Sequence, residues 1–253
     1  MKVLILGGNG MLGPWVVKAL EGRHQLRVTD INELPSGSHE FVQLDVSDLE
    51  GVIAAAEGMD AIINLSVLRD DRKLAFDVST QGNYNMMVAA REWGIRRVIN
   101  TGPHFQMVGP QYEDWDFHLN PEMPPAPGTR LYPLSKALGQ EICRIFSEHY
   151  DIELLTLLYY HMVHPDHLLG GQNCTRLLHA DLCPQSVAWP DAGDAIRCAL
   201  EIDSHKLPSK CETFFISTDL PHDKIRNDKI RKILGFNPRY HLETLWTKWL
   251  GSK

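Results

Sequence analysis

The chain has 253 residues, 43% of them hydrophobic and 23% charged, an ordinary balance for a folded globular protein that excludes disordered, collagen-like and fibrous readings. Lys and Arg number 25 against 32 Asp and Glu, a formal net charge of −7 with no basic block, which argues against nucleic acid and anionic membranes as partners. At 28.7 kDa the chain suits one nucleotide-binding-sized α/β domain with a small added lobe.

Short apolar runs alternate with segments of helical period through the first 160 residues. Val3–Leu6 predicts the first strand and Met11–Glu21 the first helix. Strands follow at Leu26–Thr29 and Phe41–Leu44, a helix at Leu49–Glu57, a strand at Ala61–Leu65 and a long helix at Lys73–Trp93. A strand at Arg97–Thr101, a helix at Leu131–Tyr150 and a strand at Ile152–Tyr159 complete the series. The runs read as strands buried on both faces, and each intervening helix is long enough for a crossover, so the fold is a parallel, doubly wound sheet. The Pro-rich stretch Asn120–Gly128 reads as a surface loop near the site. Residues 160–190 carry no clear element. Beyond them Asp191–Ile202 reads as a helix, Glu212–Ser217 as a strand, and Asp223–Leu234 and Leu242–Leu250 as closing helices. The expected organisation is a dinucleotide-binding domain over 1–160, and a substrate lobe over 161–253 interleaved with the last elements of the sheet.

The cysteines, Cys143, Cys174, Cys183, Cys198 and Cys211, are odd in number and never in a C-x-x-C arrangement, which points to a reducing cytoplasm. The apolar start Val3–Leu6 is broken by Gly7 and Gly8, far short of a signal-peptide core, and no run approaches the roughly 20 apolar residues of a membrane span.

Gly7, Gly10 and Gly13 follow the first strand and open the first helix, a G-x-x-G-x-x-G variant of the dinucleotide fingerprint. Glycine suits a sharp turn, close approach of backbone to a pyrophosphate, and tight packing of helix on strand. Asn9, Met11 and Leu12 belong to the same cradle. Asp30 closes the second strand, where a carboxylate accepts hydrogen bonds from the adenosine ribose and repels a 2′-phosphate, so the expected cofactor is NAD rather than NADP. Asp45, beside Val46, is placed either at the adenine amino group or as the cap of the next helix. Tyr132 and Lys136 stand at i and i+4 at a helix entrance marked by Pro133. The ammonium favours the phenolate, which makes Tyr132 a general base. His161, His164 and His167, with Cys174 and His179, suggest a metal cluster, but Pro165 breaks their helical spacing, and no metal is expected.

Together the glycine loop, Asp30 and the Tyr132–Lys136 pair resemble the extended short-chain dehydrogenase/reductase family, whose members include sugar epimerases, dehydratases and dehydrogenases. Asn64-Leu65-Ser66, Gly82-Asn83-Tyr84-Asn85 and Trp93–Ile99 extend the resemblance over most of the chain. Within the family the runs Thr101-Gly102-Pro103-His104, Gly128–Tyr132 and Leu234–Pro238 look most similar to uronate dehydrogenases. The resemblance implies an NAD-dependent oxidation of a sugar or sugar-acid hydroxyl, with Leu65, Ser66 and Tyr160 among the cofactor contacts. The alternatives it leaves are a nucleotide-sugar epimerase or dehydratase that retains its NAD, and a catalytically silent NAD-binding sensor. The family's catalytic Ser or Thr falls at Gly102 or Thr101. Gly102 has no hydroxyl, which leaves Thr101, with His104 as the substitute donor. Arg69, Arg176, His104, His161 and His164 are the expected substrate contacts. Ser79 stands where the family often has Asn, and a homodimer through the two long helices is the implied assembly.

Overall fold

The computed structural model describes residues 1–33, 38–68, 70–104, 107, 119–164, 186–218 and 225–240. Its centre is a seven-stranded sheet in the order β3-β2-β1-β4-β5-β6-β9, every pair parallel. The strands are β1 (Lys2–Leu6), β2 (Gln25–Asp30), β3 (Glu40–Gln43), β4 (Ala61–Asn64), β5 (Arg97–Pro103), β6 (Glu153–Tyr159) and β9 (Cys211–Ile216). The expected doubly wound sheet is thus present, and its order reverses between β1 and β4, where open α/β sheets place their ligands.

Helices cover both faces. On one lie α1 (Gly13–Leu20), α6 (Trp189–Glu201) and α7 (Asp228–Leu234), burying Val16, Leu20, Ile196 and Leu234 against the sheet. On the other lie α2 (Leu49–Ala56), α4 (Gly82–Glu92) and α5 (Leu131–His149), whose Val52, Met86, Met87 and Cys143 pack on Leu4, Ile62 and Val98. Gly193 lets α6 approach α1 closely, since a Cβ there would stand 2.5 Å from the Trp15 carbonyl oxygen. Below the site Arg97 ties three elements together. Its guanidinium pairs with Glu153 on β6 at 2.7 Å and donates to the carbonyls of Ala199, Leu200 and Ile202 at the end of α6.

The long helix expected over Lys73–Trp93 is present but not uniform: α3 (Arg72–Phe76) passes through a π-helical turn, Asp77–Gln81, into α4. That turn receives α5 in tight contact, because a Cβ on Gly139 would lie 1.9 Å from the Ser79 carbonyl oxygen. β7 (His161–Val163) and β8 (Ser186–Ala188) form a small parallel pair that three-residue runs do not announce in the sequence. Asn120–Gly128 is neither helix nor strand, as expected. The helix expected at Leu242–Leu250 lies outside the described residues. Among those described, no helix is long and apolar enough to cross a membrane.

Candidate active site

The first strand ends at Leu6, and Gly7 turns the chain with φ +75°. A Cβ on Gly7 would sit 2.8 Å from both Cα and N of Ser66, so the glycine allows the loop to press against the end of β4. At Gly13 a Cβ would fall 1.9 Å from the Gly8 carbonyl oxygen, so this glycine allows α1 to seat on the loop. Gly10 is different: its Cβ would meet only the Gly7 oxygen, at 3.2 Å, and it faces an open cavity. The three positions thus divide the work of turn, ligand approach and helix packing.

The main-chain N–H groups of Met11 and Leu12, just before α1, meet no acceptor among the described residues. Unused N–H groups at a helix N-terminus suit an anion. Asp30 ends β2, and its two oxygens accept the N–H groups of Asn9 at 3.0 Å and Asn32 at 3.1 Å. One lone pair on each oxygen is left for a diol. The Ser66 hydroxyl is buried beside the loop and has no hydrogen-bond partner among the described residues. A glycine cradle, paired N–H donors, a carboxylate one strand away and an unused hydroxyl fit a dinucleotide.

The cavity beside this loop has a volume of about 490 Å³ and reaches Tyr132 and Lys136 on α5. Lys136 is 3% exposed. Its Nζ donates to the Ser66 carbonyl at 2.7 Å and the Thr101 carbonyl at 3.3 Å, which pins the ammonium at the ends of β4 and β5. Tyr132, one turn earlier, is half-buried and lines the same cavity. Tyr159, Tyr160, Met162 and Trp189 form an aromatic and apolar wall opposite. Tyr159 donates its hydroxyl to the Ala192 carbonyl at 2.9 Å, and burial raises its pKa well above the ordinary range, so it stays a neutral wall residue.

The cavity therefore gathers Gly7, Gly10, Met11, Leu12, Leu65, Thr101, Tyr132, Lys136, Tyr160 and His161 from the residues singled out in the sequence. His161 is steadied by Ser186, 3.2 Å from its Nδ1. Other expectations are corrected. The Thr101 hydroxyl donates to the Asn64 carbonyl at 2.8 Å, so its proton is engaged within the sheet rather than offered to a reacting oxygen. Gly102 lines the cavity and has no hydroxyl. His104 is 2% exposed and packs edge-on to Tyr160 at 4.6 Å and Phe215 at 5.9 Å, with its pKa pushed down to about 3 by burial. It is a neutral core residue and does not line the cavity. His164 stacks edge-on against Trp15 at 5.5 Å and lines a separate cavity between α1 and α6. Asp45 turns its carboxylate to the N–H and hydroxyl of Ser47, and the cap position of α2 belongs to Asp48. The Val46 side chain packs in the core, its carbonyl accepts from Asn85 at 2.9 Å, and its N–H meets no main-chain acceptor among the described residues. Arg69, Arg176, His167, Cys174 and His179 lie outside the described residues, and among those described no three metal-ligating side chains converge.

The sequence reading did not single out Trp189, Met162 or Tyr159 as site residues. Trp189 opens α6 late in the chain, and the packing of α6 on α1 brings it to the cavity beside the glycine loop. Nor did it single out the buried amides of Asn64, Asn83 and Asn100 and the half-buried amide of Gln140, which link β4, β5, α4 and α5 behind Lys136.

Comparison with known proteins agrees with this arrangement. Residues 3–180 match the model of the NAD dependent epimerase/dehydratase family. A uronate dehydrogenase of Pseudomonas syringae pv. tomato is 30% identical over 164 residues, which is 62% of this chain and 58% of that protein. The chain thus matches less than two thirds of the length of that relative. An NAD-dependent glucose-6-phosphate dehydrogenase of Haloferax volcanii is 23% identical over 94% of this chain and 92% of its own. The crystal structure of uronate dehydrogenase from Agrobacterium tumefaciens shares the fold, with a TM-score of 0.75 at 22% identity, covering 97% of this chain and 86% of that one.

Proposed function

Because the chain belongs to the NAD dependent epimerase/dehydratase family, we propose that it oxidises a hydroxyl group of a sugar or sugar acid with NAD, in the manner of its uronate dehydrogenase relatives. The observation that carries this reading is the shared cavity, in which a glycine cradle, Tyr132 and an immobilised Lys136 meet at the carboxyl ends of β1, β4 and β5.

Gly7, Asn9, Gly10, Met11, Leu12, Gly13 and Asp30 would hold the dinucleotide, with Leu65, Ser66 and the Val46 N–H completing its bed. NAD, when bound, supplies the hydride acceptor. Tyr132 takes the proton from the substrate hydroxyl, and the Lys136 charge one turn away favours the phenolate that does so. Tyr160 stands on the cofactor side of the cavity and His161 on the substrate side, with Met162 and Trp189 from the second part of the chain in its wall. Three described cysteines, Cys143, Cys198 and Cys211, are free, which suits a reducing cytoplasm. Tyr84 and Ile145, 47% and 42% exposed on α4 and α5, suit a homodimer through those helices, and sedimentation of the purified chain reads its mass directly.

The test supplies NAD with a panel of aldoses and hexuronates and follows NADH. Wild type is expected to turn over at least one of them. Tyr132→Phe should lose on the order of 10²–10⁴-fold in kcat while keeping its affinity for NAD. A Tyr132→Phe variant as active as wild type refutes the mechanism. One observation favours a second reading, a silent NAD-binding module: Gly102 supplies no hydroxyl and that of Thr101 is engaged. Loss of one such donor costs roughly 10²–10³-fold elsewhere. NAD binding without turnover across the panel supports that reading.

A further inference from the structure

The strand register places Asn64 on β4 opposite Asn100 on β5, and Asn100 opposite Thr156 on β6. Asn64 and Asn100 are each 2% exposed, and Thr156 is fully buried. A polar row thus crosses a sheet face whose neighbours are Leu4, Ile62, Val98 and Leu154. Amides placed in such a row are costly unless each of their groups finds a partner.

These amides do, and a single main-chain group sets all their orientations. The Ser66 N–H donates to Asn64 Oδ1 at 3.0 Å, so the Asn64 Nδ2 must face the other way. It donates to Asn83 Oδ1 at 3.0 Å and Asn100 Oδ1 at 3.1 Å. With their oxygens so engaged, Asn83 turns its Nδ2 to the Ser79 carbonyl in the π-turn, and Asn100 donates to Gln140 Oε1 at 3.0 Å. Gln140 stands on α5, one turn beyond Lys136. The backbone of Asn64 takes part as well, because its carbonyl accepts the Thr101 hydroxyl at 2.8 Å.

Ser66 and Thr101 both hold the Lys136 ammonium through their carbonyls. Asn64 grips Ser66 through its side chain and Thr101 through its main chain, and Asn100 connects this grip to the helix that carries Lys136. The circuit closes: Lys136 to Ser66, Ser66 to Asn64, Asn64 to Asn100, Asn100 to Gln140, and Gln140 back along one helical turn to Lys136. We propose that Asn64 is a positioning residue for Lys136, and that Asn100 and Gln140 lock the ammonium against the ends of β4 and β5. The effect on catalysis rests on the role given to Lys136 above, whereas the lock itself is a property of the protein without cofactor.

Asn64→Ala strands three buried partners and tests folding more than positioning, so the experiment uses Gln140, which is only half-buried. Gln140→Leu removes the acceptor for Asn100, while Gln140→Glu keeps it. In the free protein, nitrogen NMR reads the Lys136 ammonium, whose protons exchange slowly when held by carbonyls. The expectation is that Gln140→Leu loses this signal to fast exchange and Gln140→Glu restores it. In turnover, Gln140→Leu should lower kcat about tenfold or more with KM for the sugar little changed, and move the rising limb of kcat against pH upward by about half a unit. Gln140→Glu should recover most of both. The proposal is overturned if Gln140→Leu keeps the ammonium signal, or if the two variants lose it alike. If Tyr132→Phe proves fully active or wild type proves silent, the catalytic reading fails, and the ammonium signal still decides the lock.

Discussion

Gly10 and Gly13 lie three residues apart in one loop, yet replacing each by Ala is expected to fail in a different way. At Gly13 the new Cβ falls 1.9 Å from the Gly8 oxygen, 2.4 Å from its carbonyl carbon and 2.9 Å from its Cα, all main-chain atoms. A close carbon–oxygen contact needs about 3.3 Å, so helix and loop must part by roughly 1.4 Å. Overpacking of this kind costs about 1–3 kcal/mol, and at about 2–4 °C per kcal/mol for a chain of this size Tm should fall by several degrees. The same shift misaligns the Met11 and Leu12 N–H groups. Hydrogen bonds from two N–H groups to a charged ligand are together worth about 3–6 kcal/mol, so NAD affinity should weaken by about 10²–10⁴-fold. At Gly10 the added methyl meets only the Gly7 oxygen, at 3.2 Å, and otherwise enters the cavity. Gly10→Ala should therefore keep Tm within about 2 °C, since Gly→Ala at a permissive backbone position gains a few tenths of a kcal/mol. It should still weaken NAD about tenfold or more by crowding the ligand. Calorimetric titration with NAD and scanning calorimetry of both variants separate the two modes. Wild-type affinity in Gly10→Ala, or wild-type stability and affinity in Gly13→Ala, would refute the division of roles.

Asp30→Asn removes the charge from a side chain whose oxygens already orient Asn9 and Asn32. NAD should weaken about 10-fold to 100-fold, and the preference over NADP should narrow. Titrations with both nucleotides check this, and an unchanged preference would exclude Asp30 from the ribose site. His104 carries a pH dependence of stability. Its folded pKa is depressed from 6.5 to about 3 by burial, so between these values the unfolded chain binds one more proton. The stability from keeping it neutral is fully present above pH 6.5 and is lost as pH falls toward 3, with a slope of up to about 1.4 kcal/mol per unit. Urea unfolding at pH 7 and pH 5 should show this slope in wild type and a smaller one in His104→Phe; equal slopes would remove His104 from the account.

What the sequence determined by itself is local. Strands buried on both faces appear as unbroken apolar runs, helices as period, and the glycine loop and Tyr132–Lys136 as fixed spacings whose chemistry acts over one turn. These needed no knowledge of distant residues, and the sheet, the cradle and the cavity around Lys136 follow them. The π-turn at Asp77–Gln81 and the β7–β8 pair were not legible, because the former depends on Gly139 reaching Ser79 across the fold and the latter joins runs of three residues. The side-chain roles at the strand ends were decided only by tertiary structure. In the sequence, Thr101 and His104 both stand near the end of β5. Register gives the Thr101 hydroxyl to Asn64, and the packing of Tyr160 and Phe215 closes over His104. His161 and His164 are three apart, but a strand between them turns one to the cavity and the other to Trp15. The amides behind Lys136 have partners 19, 36 and 40 residues away. No spacing rule connects such distances, because a hydrogen bond between strands is set by which residues the sheet brings opposite one another.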